Sequence, residues 1–294
     1  MLIEIFCEID DFCKHFQKQF DAKLLTDGNG KRIRSFQMSL SEIMTIVIYF
    51  HQSGYKTFKD YYQKQVLVHM AQDFHHLVSY SRFIELKNKV LMPLLIFAQL
   101  NVCRNCTGIS FIDSFFLEVC HIKRASSHKV LRGLAQKGKT SIGWFYGLKL
   151  HLIINPRGEI IAFYITPGNV ADNNSKVLIK LTKKLFGKIF GDRGYLTNEN
   201  LFRKLFSKGV QLITKIRSNM KNKLMPMEDK MLLRKRGIIE SVGSILKQSL
   251  SLEHSRHRSV FGFFSHLLAT IIAYIFRKNK PSLERASADI LRLA

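Results

Sequence analysis

"KIFGDRGYLTNE", residues 188–199, puts a carboxylate, Asp192, at the end of an apolar run where the chain turns through Gly191 and Gly194. Aspartate is a poor strand former and is almost never fully buried without a partner. Taken alone, the stretch reads as a strand closing in a turn, because Asp and Gly end strands routinely. A second acid in a matching place changes that reading. "GISFID" (108–113) is another short apolar run suited to a buried strand, and it ends in Asp113.

Between these two runs, "GWFYGLKLHLIIN" (143–155) alternates Leu148, Leu150 and Leu152 against Lys149 and His151, the period-two signature of a strand. Pro156-Arg157-Gly158 then predicts a tight turn, and "EIIAFYITPG" (159–168) the returning strand of a hairpin. Helical patterns follow over 172–186 and 197–208, with the strand "VQLITKI" (210–216) after them and helices beyond a basic linker holding Pro226. This order predicts a mixed sheet covered by helices, with Asp113 and Asp192 at neighbouring strand ends. Two carboxylates so placed repel each other unless something positive sits between them.

A third acid lies in "RGIIESVGSILK" (236–247). At about 100° per residue, Ile238, Ile239, Val242, Ile245 and Leu246 form one apolar face. Arg236, Glu240 and Lys247 fall within about 40° of one another on the other face, with Gly243 beside them leaving room for a ligand. Gly237 weakens the helix start and places Arg236 near its edge. Alone, Arg236 and Glu240 make an ordinary i,i+4 surface pair. Two strand-end aspartates and a helix glutamate together offer hard oxygen ligands for Mg²⁺ or Mn²⁺. Two such ions activate an attacking water or 3′-hydroxyl and stabilise the leaving oxygen of a phosphodiester.

The charge agrees with that chemistry. In 294 residues, 46 Lys and Arg stand against 22 Asp and Glu, a net charge of +24, spread through "GKRIR" (30–34), "HIKRASSHK" (121–129), "KLTKK" (180–184), "RKR" (234–236) and "HSRHR" (254–258). Cations distributed over a chain that is 46 % hydrophobic predict a folded protein with a polyanionic partner, nucleic acid before a membrane surface. His121, His128, His254 and His257 sit among these cations and read as phosphate-facing surface.

Five cysteines, an odd count, fit a reducing cytoplasm. Cys103 and Cys106 form a CxxC with no second pair at zinc-finger spacing, so buried thiols are the expectation over a zinc site completed by Cys120 and His121. "MLIEIFCEIDDFCKHF" (1–16) is acidic and lacks a signal-peptide pattern. "VFGFFSHLLATIIAYIF" (260–276) carries Ser265, His266 and Thr270 and is shorter than the ~20 residues of a membrane span, so it reads as a buried helix.

Residues 1–100 carry helical spacing throughout. Within 39–62, Ser39-x-x-Glu42 predicts a capping box, and a turn at Ser53-Gly54 leads to a second short helix, a helix-turn-helix shape able to bind DNA. Asp172 in "TPGNVADNN" reads as the cap of the next helix, and Trp144 as strand core.

These motifs resemble the ribonuclease H-like catalytic domain of DDE transposases, in particular bacterial insertion-sequence family 982, through "FIDS", "GWFYGLKLHLIIN", "GDRGY", "RGIIESVGSILK" and "RHRSVFGFFSHLLATIIAY". The wider group carries Asp on the first strand, Asp-x-Gly-Tyr on the fourth, and Tyr-x2-Arg-x3-Glu-x6-Lys on the last catalytic helix. Asp113, Asp192 to Tyr195, and Arg236, Glu240 and Lys247 match these, with Leu233 where that pattern has tyrosine. The resemblance implies a mixed five-stranded α/β sheet flanked by helices over 105–280, a helical DNA-binding region over 1–100, and a tail over 281–294. It implies Asp113, Asp192 and Glu240 as catalytic metal ligands for two Mg²⁺ or Mn²⁺ ions. It implies Arg236, Lys247, Tyr195, Arg256 and Arg258 as DNA- or phosphate-binding residues. The implied activity is strand cleavage and transfer at the terminal inverted repeats of an insertion sequence. The partners are double-stranded DNA and further copies of the chain in a dimer or larger synaptic assembly. The implied place is the bacterial cytoplasm at the nucleoid, with no membrane. A DNA-binding protein that has lost transposition, and a nuclease of the same fold without strand transfer, are the alternatives.

Overall fold

The computed structural model describes residues 1–26, 38–102, 105–140, 143–215, 224–253 and 257–283. They form two units, one of Met1–Ala98 with Gln248–Leu252 and His257–Phe276, the other mainly of Gln99–Lys247. The chain therefore returns to its first unit after building its second.

The first unit is helical: α1 (Leu2–Thr26), α2 (Leu40–Tyr49), α3 (Phe58–Asp60) running through a π turn into α4 (Leu67–His69), α5 (Tyr80–Lys87) and α6 (Leu91–Val102). The capping box forms at α2: Ser39 Oγ accepts the Glu42 N–H at 3.1 Å, and the Glu42 carboxylate accepts the Ser39 N–H at 2.6 Å. Ile43, Met44, Ile46, Val47 and Ile48 are all buried, so α2 is a core helix, apolar around most of its circumference. The turn through Ser53-Gly54 follows, with Gly54 at φ +76, and Thr57 caps the next helix. The helix Val260–Ile275 packs against α2 in this unit, buried from Phe263 through most of its length. Among the described residues no helix is long and apolar enough to cross a membrane.

That buried helix holds a titratable group. His266 bonds the Ser251 carbonyl through Nε2 at 2.8 Å, with the rings of His51 and His257 at 4.6 and 4.9 Å. Burial, and then the neighbouring His51, His257 and Lys87, push its pKa well below the ordinary value of 6.5. His257 is thus packed against Phe263 and His266, not turned to a phosphate surface, and His254 lies outside the described residues. A histidine kept neutral in the folded state takes up its proton only on unfolding, so its contribution to stability is lost as pH falls below about 6.5. The melting temperature is expected to drop between pH 7 and pH 5. His266→Gln is expected to flatten that slope in a thermal-melt series, and an unchanged slope would assign the acid sensitivity to other groups.

The second unit contains β1 (Ile109–Cys120), β2 (Gln136–Lys139), β3 (Trp144–Ile154), β4 (Ile160–Pro167), α7 (Ser175–Leu181), β5 (Gly187–Gly191), α8 (Glu199–Phe206), β6 (Val210–Thr214), α9 (Met227–Arg234) and α10 (Gly237–Ser244). The strands follow the order β2-β3-β1-β5-β6, with β4 also paired to β3. β3 is antiparallel to β1, β2 and β4, while β1, β5 and β6 run parallel. This is the ribonuclease H-like arrangement expected from the sequence, with the short β2 added as a sixth strand. Ile112, Ile153 and Ile189 pack with Val177, Leu178 and Leu181 of α7 in the core on one face of the sheet. Trp144, expected in the core, is 60 % exposed at the start of β3 and lies beside Lys139 Nζ, 5.9 Å from its ring centroid.

Candidate active site

The parallel register of β1 and β5 brings the two aspartates together. Ile109, Ser110 and Phe111 pair with Lys188, Ile189 and Phe190, and two residues further along each chain lie Asp113 and Asp192. Only Asp192 ends its strand. β1 continues past Asp113 to Cys120 because β3 stays paired with it throughout, so Asp113 sits inside a strand at the level where β5 stops.

Side chains alternate across a strand, and Asp113 and Phe115 point to the α10 side. The helix fits there through Gly243, where a β-carbon would fall 2.1 Å from the Phe115 ring. The expected opening for a ligand at Gly243 is therefore filled by protein. α10 begins at Gly237, with Arg236 just before it. From that position Arg236 reaches two acids, Nη1 donating to Asp113 Oδ2 and Nη2 to Glu240 Oε1, each at 2.8 Å. Asp113 is 18 % exposed and Glu240 61 %. Burial, helped by the Asp192 charge, outweighs the downward pull of Arg236, so that the Asp113 carboxyl is raised to about 6. Asp113 Oδ1 also accepts the Ser114 N–H.

Asp192 is held by its own turn, Oδ1 accepting the Gly194 N–H at 2.8 Å. It lines a cleft of about 280 Å³ with Gly191, Arg193, Lys215, Leu233 and Arg236. Leu233 is thus a wall of the cleft that holds Asp192 and Arg236. One acid of the trio faces a basic cleft, and the other two share an arginine.

Residues 103–260, over half the chain, match the transposase DDE domain family. The chain belongs to that family. No curated protein matches it. Among solved structures, the Mos1 mariner paired end complex with Mn aligns over 89 % of this chain and 86 % of that one, at 11 % identity and a TM-score of 0.25. That superposition is too low to transfer any residue.

Within this transposase domain the other expected residues fall elsewhere. Lys247 does not join Glu240. It lies in a π-helical stretch, Ile245–Ser249, where a wheel of about 100° per residue no longer applies. Its ammonium bonds Glu253 at 2.6 Å and sits 3.9 Å from the Phe116 ring centroid. Tyr195, expected at DNA, is 1 % exposed and packs with Ile112 and Val177. Its hydroxyl feels the charges of Asp172, Asp113 and Asp192, and burial raises its pKa. Arg258 belongs to the helical unit, and Arg256 lies outside the described residues, as does Cys103.

Sequence reasoning missed three polar residues on the opposite face of the sheet. Asp172 does not cap α7, because Asn174 does, accepting the N–H groups of Lys176 and Val177. Asp172 instead accepts bonds from Ser114 Oγ and Lys149 Nζ. The alternation of β3 did mark Lys149 as a polar interruption of a buried strand, but gave it no partner.

Among the described residues no group of three or more His, Cys, Asp and Glu side chains stands ready to hold a metal ion. The donor chemistry nevertheless suits a hard divalent cation. Asp113, Asp192 and Glu240 offer oxygen alone, and Asp113 and Glu240 already share one cation, the Arg236 guanidinium.

Proposed function

We propose that this protein is the transposase of a bacterial insertion sequence of family 982, cutting and joining DNA at the terminal inverted repeats of its element. The observation that carries the reading is Arg236 bonded to both Asp113 and Glu240, on the cleft that Asp192 lines, inside the span matched to the DDE family. Asp113, Asp192 and Glu240 would hold Mg²⁺ or Mn²⁺. Bound there, two such ions supply Lewis-acid stabilisation of the phosphoryl oxygens and a deprotonated nucleophile at neutral pH.

The chain's own residues prepare that site. Burial makes a bare Asp113 carboxylate costly, and Arg236 offsets the cost in the free protein. Once the acids are otherwise neutralised, the guanidinium is available to a phosphate, for which its fork is suited. Arg193 and Lys215 flank Asp192 in the cleft and add positive charge along a DNA backbone. The net charge of +24 attracts DNA of any sequence, and the helix-turn-helix-shaped stretch over 39–62 supplies end recognition.

Purified protein incubated with DNA carrying the element's inverted repeats and Mn²⁺ tests the reading. Nicked ends and covalently joined products are expected. Cutting that ignores the repeats and yields no joined product would indicate a nuclease, and a shifted band with no nick a binding protein.

A further inference from the structure

Asp172 has no helical role, yet its carboxylate is tied on several sides. Oδ1 accepts the Ser114 hydroxyl at 2.8 Å and the Lys149 ammonium at 3.1 Å. Lys149 also donates to the Val170 carbonyl at 3.0 Å, which joins β3 to the loop that carries Asp172. Lys149 is only 12 % exposed, and an ammonium withdrawn from water needs an anion beside it. Ser114 follows Asp113, so alternation puts the two on opposite faces of β1. The other oxygen of Asp172 turns toward Gly194, where a β-carbon would lie 3.6 Å from Asp172 Oδ2 and 3.0 Å from Asp192 Oδ1. One carboxylate therefore bonds the neighbour of Asp113 and abuts the turn that holds Asp192. Tyr195, in the same turn as Gly194, is buried.

The geometry points to Asp172 as a positioning residue that, through Ser114 and the Gly194 turn, fixes Asp113 and Asp192 at the spacing a divalent cation requires. This rests on the metal-binding reading above. Residues that orient metal ligands from behind typically change metal affinity by about 10–100-fold when removed. A brace that served stability alone would leave affinity untouched and lower only the melting temperature.

Mn²⁺ binding to the full chain without DNA, followed by electron paramagnetic resonance beside thermal melts, separates the two. Asp172→Ala is expected to weaken Mn²⁺ about 10-fold or more, and Ser114→Ala about threefold or more. The double variant is expected to be no worse than Asp172→Ala, because both changes cut one link. Affinity unchanged in Asp172→Ala, or a fully additive double, overturns the assignment. Should Asp172→Ala fail to fold, Ser114→Ala decides in the same way. Wild-type protein whose Mn²⁺ signal is absent, or indifferent to Asp113→Asn, overturns the metal reading itself and the brace with it. A signal lost in Asp113→Asn but kept in Asp172→Ala overturns the brace alone.

Discussion

Asp113→Asn, Asp192→Asn or Glu240→Gln is expected to lower strand cleavage by at least about a thousandfold, roughly 4 kcal/mol of transition-state stabilisation, while binding to the element's ends survives. Each change removes one anionic ligand and preserves side-chain volume. The effects should not add, because residues that act as one unit fail together. Asp113 carries the sharpest version of this test. Burial raises its carboxyl to about 6, so the neutral amide removes a charge that the fold holds only at a cost. Arg236 then keeps Glu240 as its partner. A melting temperature close to wild type with cleavage abolished would place the loss in the chemistry. Retained cleavage by any one variant would remove that residue from the site. Band-shift and nicking assays on the same samples make the comparison.

The second large effect is structural and falls on a glycine. Gly187 opens β5 at φ +87, and a β-carbon there would lie 2.1 Å from the Gly108 carbonyl oxygen. That carbonyl accepts the Lys188 N–H at 2.8 Å, and the Gly187 N–H donates to the Gly209 carbonyl at 2.8 Å. The chain thus enters β5 between two backbone neighbours with no space for a side chain. Gly187→Ala combines left-handed strain of about 1–2 kcal/mol with a clash against backbone, which cannot swing aside. A loss of about 3 kcal/mol or more is expected. For a unit of this size it would lower the melting temperature by roughly 6–12 °C. Cleavage should fall too, since the β1–β5 register at this point brings Asp113 level with Asp192. A melt within about 2 °C of wild type would show that the approach is looser than described.

Several expectations that rested on close neighbours in sequence are reproduced by the structure. Ser39 and Glu42 are three residues apart and close their capping box within one turn. Leu148, Leu150 and Leu152 alternate with polar residues and form a buried strand, because the pleat has a period of two. Arg236 and Glu240 are four apart and meet as helical neighbours must. Where a partner is distant, local pattern was insufficient. Asp113 looked like a strand end because the apolar run stops there, yet pairing with β3 carries β1 on to Cys120. A helical wheel puts Lys247 on the acid face, but a π turn interrupts the helix there, and its partners are Phe116 and Glu253. Gly243 looked like space for a ligand and is space for Phe115. Asp172 looked like a cap because it stands near a helix start, and Asn174 holds that place.

By itself the sequence determined the chemistry available to this protein: three carboxylates with their flanking cations, a strand hairpin, a helical first region and a basic charge suited to DNA. Those depend on residue type and short-range periodicity, which the chain carries wherever it goes. Only the tertiary structure decided which oxygens face one another. It set Arg236 between Asp113 and Glu240, 123 residues apart in the first case, and Asp172 behind Ser114, 58 residues away. Such pairings follow from strand register and from which face of the sheet each helix covers, and both are settled by packing of the whole unit, not by any segment of it.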